Sequence, residues 1–177
     1  MVKTKGQLTI QYLLSFIFFI GLIVSIYFAF SSNIPKFLEA IEKEDARSKA
    51  YQLSEFLINN PGYPIDWENQ PVDSIKRLGL SDEDSNKTNL LSGLKVHDFF
   101  EICGPNSENF STIQEKLALN KSFSVIFCNI TSSGKRECQV CQSPSPPKTA
   151  INATIRRIVA LNVSGDIRLA ELIVQMW

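Results

Sequence analysis

The chain has 177 residues, with 18 basic and 18 acidic side chains and no formal net charge. This length allows one domain and a separate long segment. The balanced charge lacks the basic excess typical of nucleic-acid binding, so we expect no nucleic-acid partner. The sequence also carries no phosphate-binding, nucleophile-elbow, zinc-protease or dinucleotide-binding motif, and His97 is its one histidine. We therefore expect neither an enzyme nor a cofactor or metal site.

The first predicted element is an apolar helix. No charged residue occurs from Gln7 to Pro35, and the apolar run Leu8–Phe30 exceeds the core of an ordinary secretory signal. At about 1.5 Å per residue this helix is long enough to cross the roughly 30 Å hydrocarbon core of a membrane. Lys3 and Lys5 precede it, so the first residues are expected on the cytoplasmic side. Composition alone predicts an uncleaved membrane anchor.

The residues at the edge of this helix favour a second interpretation. They resemble the class III signal peptide of archaeal type IV pilin-like proteins, whose pattern after the cleaved glycine is Gln-x-Ser-x-Glu-Tyr-Leu. Thr9 replaces the family's serine, and Gln11 replaces its glutamate. The matching positions are Gly6, Gln7, Tyr12 and Leu13.

The resemblance implies that a prepilin peptidase cuts between Gly6 and Gln7. The chain would begin in the cell membrane and end in an extracellular filament on an archaeal cell surface, beside other pilin-like subunits of the same or another kind. Cleavage removes Lys3 and Lys5 and changes the formal net charge from zero to −2. The alternative is a membrane-anchored surface glycoprotein or adhesin that does not polymerise.

Four residues are candidates for assembly contacts. In pilin-like proteins a glutamate at the place of Gln11 is thought to pair with the amino terminus of a neighbouring subunit. Gln11 accepts a hydrogen bond but carries no charge, and a neutral contact differs from an ion pair where water is excluded. We therefore expect a minor subunit, at a filament tip or base, unless glutamine serves a main subunit equally well. The candidates are Gln7, Thr9, Gln11 and Tyr12.

Beyond Pro35 the pattern becomes amphipathic, and Asn60-Pro61-Gly62 is a helix stop signal. Pro35 predicts a kink or a division of the helix. The spacing of the apolar residues is close to 3.6, which predicts that one helix face packs on the chain's own domain. These residues are Ile34, Phe37, Leu38, Ile41, Ala46, Ala50, Leu53 and Leu57.

A Pro-Gly-x-Pro-x-x-Trp stretch at residues 61–67 follows the helix stop. It is typical of a constrained turn that docks Trp67 on the domain. Together with Gly79 and Leu80 it resembles the segment after the long helix of archaeal pilin-like proteins, where a short helix leads to a first strand. The alternative is a proline-rich linker with one buried tryptophan.

Alternating apolar residues predict two β-hairpins in the remainder. The first joins residues 123–131 to 135–141, and the second joins 153–162 to 167–177. The predicted fold is α+β, pilin-like, with a long N-terminal helix and an antiparallel sheet of four or five strands. The predicted parts are a leader (1–6), an apolar helix (7–35), an amphipathic helix (36–60) and a β-rich extracellular head (61–177).

The four cysteines lie beyond the apolar helix. An even number in an exported domain favours disulfides, although the Cys138-x-x-Cys141 spacing also suits half of a zinc site. Three pairings are possible. Sequence separation favours Cys128–Cys138 with Cys103–Cys141, and a Cys138–Cys141 bond is the rival.

Asn-x-Ser/Thr sequons are more frequent than the roughly two that chance predicts for this composition. They predict a glycosylated head with at least half of the sites exposed, although asparagine also favours turns. The six sites are Asn86, Asn109, Asn120, Asn129, Asn152 and Asn162.

Overall fold

The computed structural model describes residues 4–82, 89–103, 110–119, 121–130, 135–143 and 153–177, with side chains from residue 10 onward. These residues belong to two compact units, a helical unit (Met1–Glu42) and a head unit (Lys43–Trp177). The helices are α1 (Thr4–Asn59), α2 (Gly93–Ile102) and α3 (Phe110–Lys116), and the strands are β1 (Leu90–Ser92), β2 (Phe123–Ile130), β3 (Arg136–Gln142), β4 (Ala153–Val163) and β5 (Asp166–Met176).

Helix α1 includes Pro35 and continues beyond it, so Pro35 does not divide the helix, and the alternative, a kink at this residue, stays a prediction. Apolar helices tolerate proline better than soluble ones do, because the freed backbone groups find other partners. The helix ends at Asn59, one residue before the Asn-Pro-Gly stop signal.

The five strands form one sheet in the order β1-β4-β5-β2-β3. Strand β2 pairs antiparallel with β3 and β5, and β4 pairs antiparallel with β5. Strand β1 pairs parallel with β4, which makes the sheet mixed rather than purely antiparallel. The predicted α+β fold, with a long apolar helix and a sheet-based head, is confirmed, and the strands of both predicted hairpins pair as expected.

The second hairpin turns at Ser164 and Gly165, which have φ angles of 54° and 93°. Two consecutive residues with positive φ are typical of two-residue hairpin turns, because the backbone twist of such a turn matches the twist of the flanking strands. The side chain of Asn162 supports the turn, because its Oδ1 accepts a hydrogen bond from the Gly165 backbone N–H at 2.8 Å.

The core of the head unit lies between the last turns of α1, helix α2 and one face of the sheet. From Ala170 to Met176 every second residue of β5 is buried there, as the two-residue period of a strand requires. Phe123, Val125 and Phe127 of β2 extend this face, and Ala46, Ala50, Leu53 and Leu57 join it from α1.

The other four residues of the predicted amphipathic stripe are not part of this core. Ile34, Phe37, Leu38 and Ile41 are all more than half exposed, with Phe37 at 68%. The prediction that the whole stripe packs on the domain is wrong, because a helical period identifies one apolar face without identifying what covers it. The face covered by the chain's own core begins at Ala46.

The residues that follow α1 pack closely around Trp67. Its side chain is fully buried, and its indole N–H donates a hydrogen bond to the carbonyl of Gly79 at 2.9 Å. A Cβ at Gly62 would lie 2.3 Å from the Trp67 ring, and one at Gly79 would lie 2.1 Å from the carbonyl oxygen of Asn60. The expected docking of Trp67 is therefore confirmed, and both glycines are required by close approach.

A buried cation reinforces this region. Lys95 of α2 is only 2% exposed, and its Nζ donates hydrogen bonds to the carbonyls of Pro61 and Ser81, at 2.9 and 3.5 Å. Because a buried ammonium group needs polar partners, these bonds hold α2 against the turn that follows α1.

Candidate assembly helix and the surface of the head unit

The apolar surface of α1 is the main candidate functional feature. From Ile10 to Phe30 its large apolar side chains are between 43% and 77% exposed. Within the described part of the chain, α1 is the one helix long and apolar enough to cross a membrane, and none of its most apolar stretch is buried. Exposure of one such side chain to water costs about 1.5–3 kcal/mol. Such a surface is compatible with a membrane span or with packing against other apolar helices.

The polar residues that follow this surface bond to the helix itself. Ser32 Oγ and Asn33 Nδ2 both donate hydrogen bonds to the carbonyl of Ala29, at 3.1 and 2.8 Å. Self-bonded polar groups cost less to place near a membrane interface or inside a helix bundle than unpaired ones do.

A row of small residues crosses the apolar surface. Gly21, Ser25 and Ala29 recur every four residues, and a Cβ at Gly21 would meet no atom within 4 Å. The side chains of Ile17, Phe18, Leu22 and Ile26 border Gly21 and Ser25 in a notch of about 400 Å³. Small residues at this spacing let a second helix approach closely in an apolar medium. The signal is visible in the sequence, yet the prediction of assembly contacts missed it.

The predicted cleavage and assembly residues all belong to the first turns of α1. Gly6, Gln7 and Thr9 have no described side chains, and Gln11 and Tyr12 are exposed. The cleavage after Gly6 and the contact through Gln11 therefore stay predictions.

Two disulfides stabilise the head unit. Cys103–Cys141 joins the end of α2 to the buried face of β3, and Cys128–Cys138 joins directly opposed residues of β2 and β3. This is the pairing that sequence separation favours. All four sulfur atoms are used in the two bonds.

Two of the predicted glycosylation sites lie on described strands, and both are half-buried. The Oδ1 of Asn129 is buried without a hydrogen-bond partner in the described structure. The Nδ2 of Asn162 donates a hydrogen bond to Asp82 at 2.6 Å, so a glycan there would leave it one N–H for this bond. Glycosylation stays a prediction for all six sites, and those outside the described residues are Asn86, Asn109, Asn120 and Asn152.

The histidine lies on the exposed face of α2. His97 Nε2 is 3.6 Å from a carboxylate oxygen of Glu101, and Asp98 brings a third possible metal ligand within 4.8 Å of both. His97 and Glu101 are more than half exposed, which is ordinary for a solvated pair one helical turn apart. We assign no metal site to them.

A basic pocket lies on the head unit between the last turns of α1, the Lys76–Arg77 segment and the end of α3. It has a volume of about 550 Å³ and an apolar floor that includes Leu53, Phe56 and Leu117. The charged residues of its rim are Lys49, Lys76, Arg77, Lys116 and Glu115.

Asp45 lies just before this pocket on α1. Lys121 Nζ approaches its carboxylate to 2.5 Å and Lys49 Nζ to 3.3 Å. These two ammonium groups, Lys121 first, lower the pKa of Asp45 below its ordinary value of 3.8. The carboxylate therefore joins Lys121, two residues before β2, to α1 through charge-assisted hydrogen bonds.

The features described so far are a long apolar N-terminal helix and a disulfide-bonded head with a mixed sheet. They are compatible with a pilin-like or a membrane-anchored surface protein. Comparison with known proteins gives no match to any family model, any curated protein or any solved structure.

Proposed function

We propose that this protein is a structural subunit of an archaeal type IV pilus-like surface filament, and not an enzyme. A prepilin-type peptidase cleaves it between Gly6 and Gln7, and its apolar helix then passes from the membrane into the filament core. The observation that carries the proposal is the apolar surface of Ile10–Phe30, which the chain leaves exposed.

The two units differ in what covers their apolar side chains. The head unit buries its own apolar residues around Trp67, α2 and the sheet. From residue 10 onward, where its side chains are described, the helical unit buries none of its large apolar side chains, so we infer that their cover comes from outside the chain. Lipid and identical helices both meet this requirement, as in a precursor and in a filament.

Two sequence features favour a filament over a permanent anchor. The Gly6-Gln7 junction resembles a processing site that an ordinary anchor does not need. The small residues Gly21, Ser25 and Ala29 favour close helix–helix packing, which a helix surrounded by lipid alone does not require. Gln11 without a charge supports a specialised position at a tip or base.

The first test is the N-terminal peptide of the protein from its native cells. Trypsin cuts after Lys5 and next after Lys36, so the retained leader yields a peptide that starts at Gly6. Prior removal of the leader yields one that starts at Gln7 or at its cyclised form. We expect the Gln7 start, by mass spectrometry of surface filaments. A Gly6 start in protein held in membranes would support the non-polymerising surface glycoprotein or adhesin instead.

The specialised position has its own test. Gln11→Glu introduces the charge that the family usually carries, so we expect incorporation along the length of the filament instead of at one end. Immunogold labelling of tagged chains in the electron microscope measures the distribution. An unchanged distribution would reject the specialised position while leaving the filament assignment intact.

A further inference from the structure

We propose that the basic pocket of one copy binds an acid-flanked apolar stripe on α1 of a second copy. The stripe consists of Ile34, Phe37, Leu38 and Ile41 with Glu42 and Glu44. The proposal rests on the proposed function and identifies a contact between subunits outside the apolar filament core.

The charge of the basic pocket is not balanced within it. Lys49 is paired with Asp45, at 3.3 Å, so three other cationic side chains, Lys76, Arg77 and Lys116, stand against one carboxylate, Glu115, which leaves an excess charge of +2. Lys116 Nζ donates to the carbonyl of Ile75, and Lys76 Nζ lies 5.5 Å from the ring centre of Tyr63. Arg77 makes no side-chain hydrogen bond or ion pair with any described residue. The pocket therefore favours an anionic partner.

The apolar floor of the pocket indicates which kind of anionic partner fits it. Leu53 and Leu117 are buried at its base, and Phe56 is half-buried beside them. A small inorganic anion would pair with the rim and leave this apolar floor uncovered. The matching partner has an apolar centre with carboxylates at its edges, because both parts of the surface are then satisfied.

The stripe on α1 has this composition. In a helix with about 3.6 residues per turn, its four apolar residues share one face, Glu44 borders that face on one side and Glu42 on the other. All six side chains are exposed. Neither glutamate forms an ion pair with the described residues of its own chain. A second copy of the chain supplies such a stripe at every subunit of a filament.

Charge reversal tests the contact in the full chain, produced in its native cells. Lys76→Glu with Arg77→Glu reverses the pocket, and Glu42→Lys with Glu44→Lys reverses the stripe. Each variant places like charges together, so we expect the fraction of chain in sheared filaments to fall by about tenfold. The variant with all four changes restores opposite charges, and we expect it to recover to within about twofold of the natural chain.

The control carries the same change of charge elsewhere on the head unit. Lys135→Glu with Arg168→Glu lies outside both surfaces, and we expect normal filaments. Non-reducing gels verify the two disulfides in every variant. Lys76 and Arg77 have exposed side chains, so their reversal preserves the core.

Three results would overturn the contact. If the variant with all four changes shows no larger fraction of chain in filaments than the two double variants, the two surfaces do not meet. A loss on reversing the pocket but none on reversing the stripe would assign the pocket to another anion, such as a surface glycan or a lipid headgroup. A natural chain found only in membranes, with a peptide starting at Gly6, would remove the proposed function and this contact with it.

Discussion

The two halves of α1 contain similar apolar residues but bury them differently. From Ala46 to Leu57 the apolar face enters the core of the head unit, whereas from Ile10 to Ile41 the large apolar side chains are exposed. Both stretches are helical and rich in apolar residues, although the first carries no charged residue before Lys36, whereas the second carries charged residues such as Lys49 and Glu55 between its apolar ones. The difference teaches that the second half of the helix belongs to the core of the fold, and it supports the proposal that the first half meets partners outside the chain.

Replacement of one buried and one exposed leucine of α1 by alanine gives the largest expected difference in the free energy of unfolding. Leu57 is fully buried and Leu22 is 59% exposed. Leu57→Ala removes core contacts and leaves a cavity, so we expect the free energy of unfolding of the head unit to fall by about 2–5 kcal/mol. Leu22→Ala is expected to change it by less than about 0.5 kcal/mol. Denaturant unfolding of the full chain in detergent measures both, and equal effects would contradict the division of α1.

Substitutions at two glycines, Gly79 and Gly21, test the same difference between the head unit and the first half of α1. Gly79→Ala forces a methyl group against the Asn60 carbonyl, and we expect a loss of about 1–3 kcal/mol in the unfolding free energy of the head unit. Gly21→Ala meets no atom of its own chain and should leave that free energy unchanged. Gly21→Leu fills the notch, so we expect fewer filaments by electron microscopy from a normally stable head. Normal filaments from this variant would show that the small residues are not a helix contact.

The two disulfides differ in the loop that each closes. Cys103 and Cys141 are 38 residues apart, and Cys128 and Cys138 are 10 apart. Loop-closure entropy makes the longer one more stabilising by about 1 kcal/mol. We expect the double alanine variant of the Cys103–Cys141 pair to unfold at lower denaturant than that of the Cys128–Cys138 pair. The reverse order would show that the cross-strand bond of β2 and β3 carries more of the stability.

The smallest expected effect concerns Asp45. Its pKa is lowered in the folded head by Lys121 and Lys49, so its charged form stabilises the fold above the ordinary pKa of 3.8. This contribution is lost as the pH falls through the lower, folded value. We expect Asp45→Asn to destabilise the head slightly near neutral pH and to have no effect at strongly acidic pH. Thermal unfolding of both chains at a series of pH values measures the difference, and a gap that persists in acid would contradict this assignment.

The sequence predicts the parts of this fold that depend on local patterns. The apolar helix, the stop at Asn60, both hairpins and the docking of Trp67 follow from residue spacing and turn chemistry. Strand β1 was not predicted from alternation because it has three residues and pairs in parallel with β4, far along the chain. The exposure of Phe37 and its neighbours was missed because periodicity does not reveal which surface a helix face meets.

The candidate functional features also include some that can be predicted from the sequence and some that cannot. The apolar run and the Gly6-Gln7 junction are contiguous in the sequence and can be recognised there. The basic pocket brings Lys49, Arg77 and Lys116 together from three separate parts of the chain. Its charge and its apolar floor become visible only once the fold has assembled them.

Strand β3 lies at one edge of the sheet, and each disulfide has one sulfur atom on it. Where many copies crowd along one surface, identical open edges invite the exchange of strands between neighbours. An exchange of β3 would require two covalent bonds to break, one on each face of the strand. The bonds therefore keep the head a closed, self-contained module, which suits the close packing of neighbouring copies in the proposed filament.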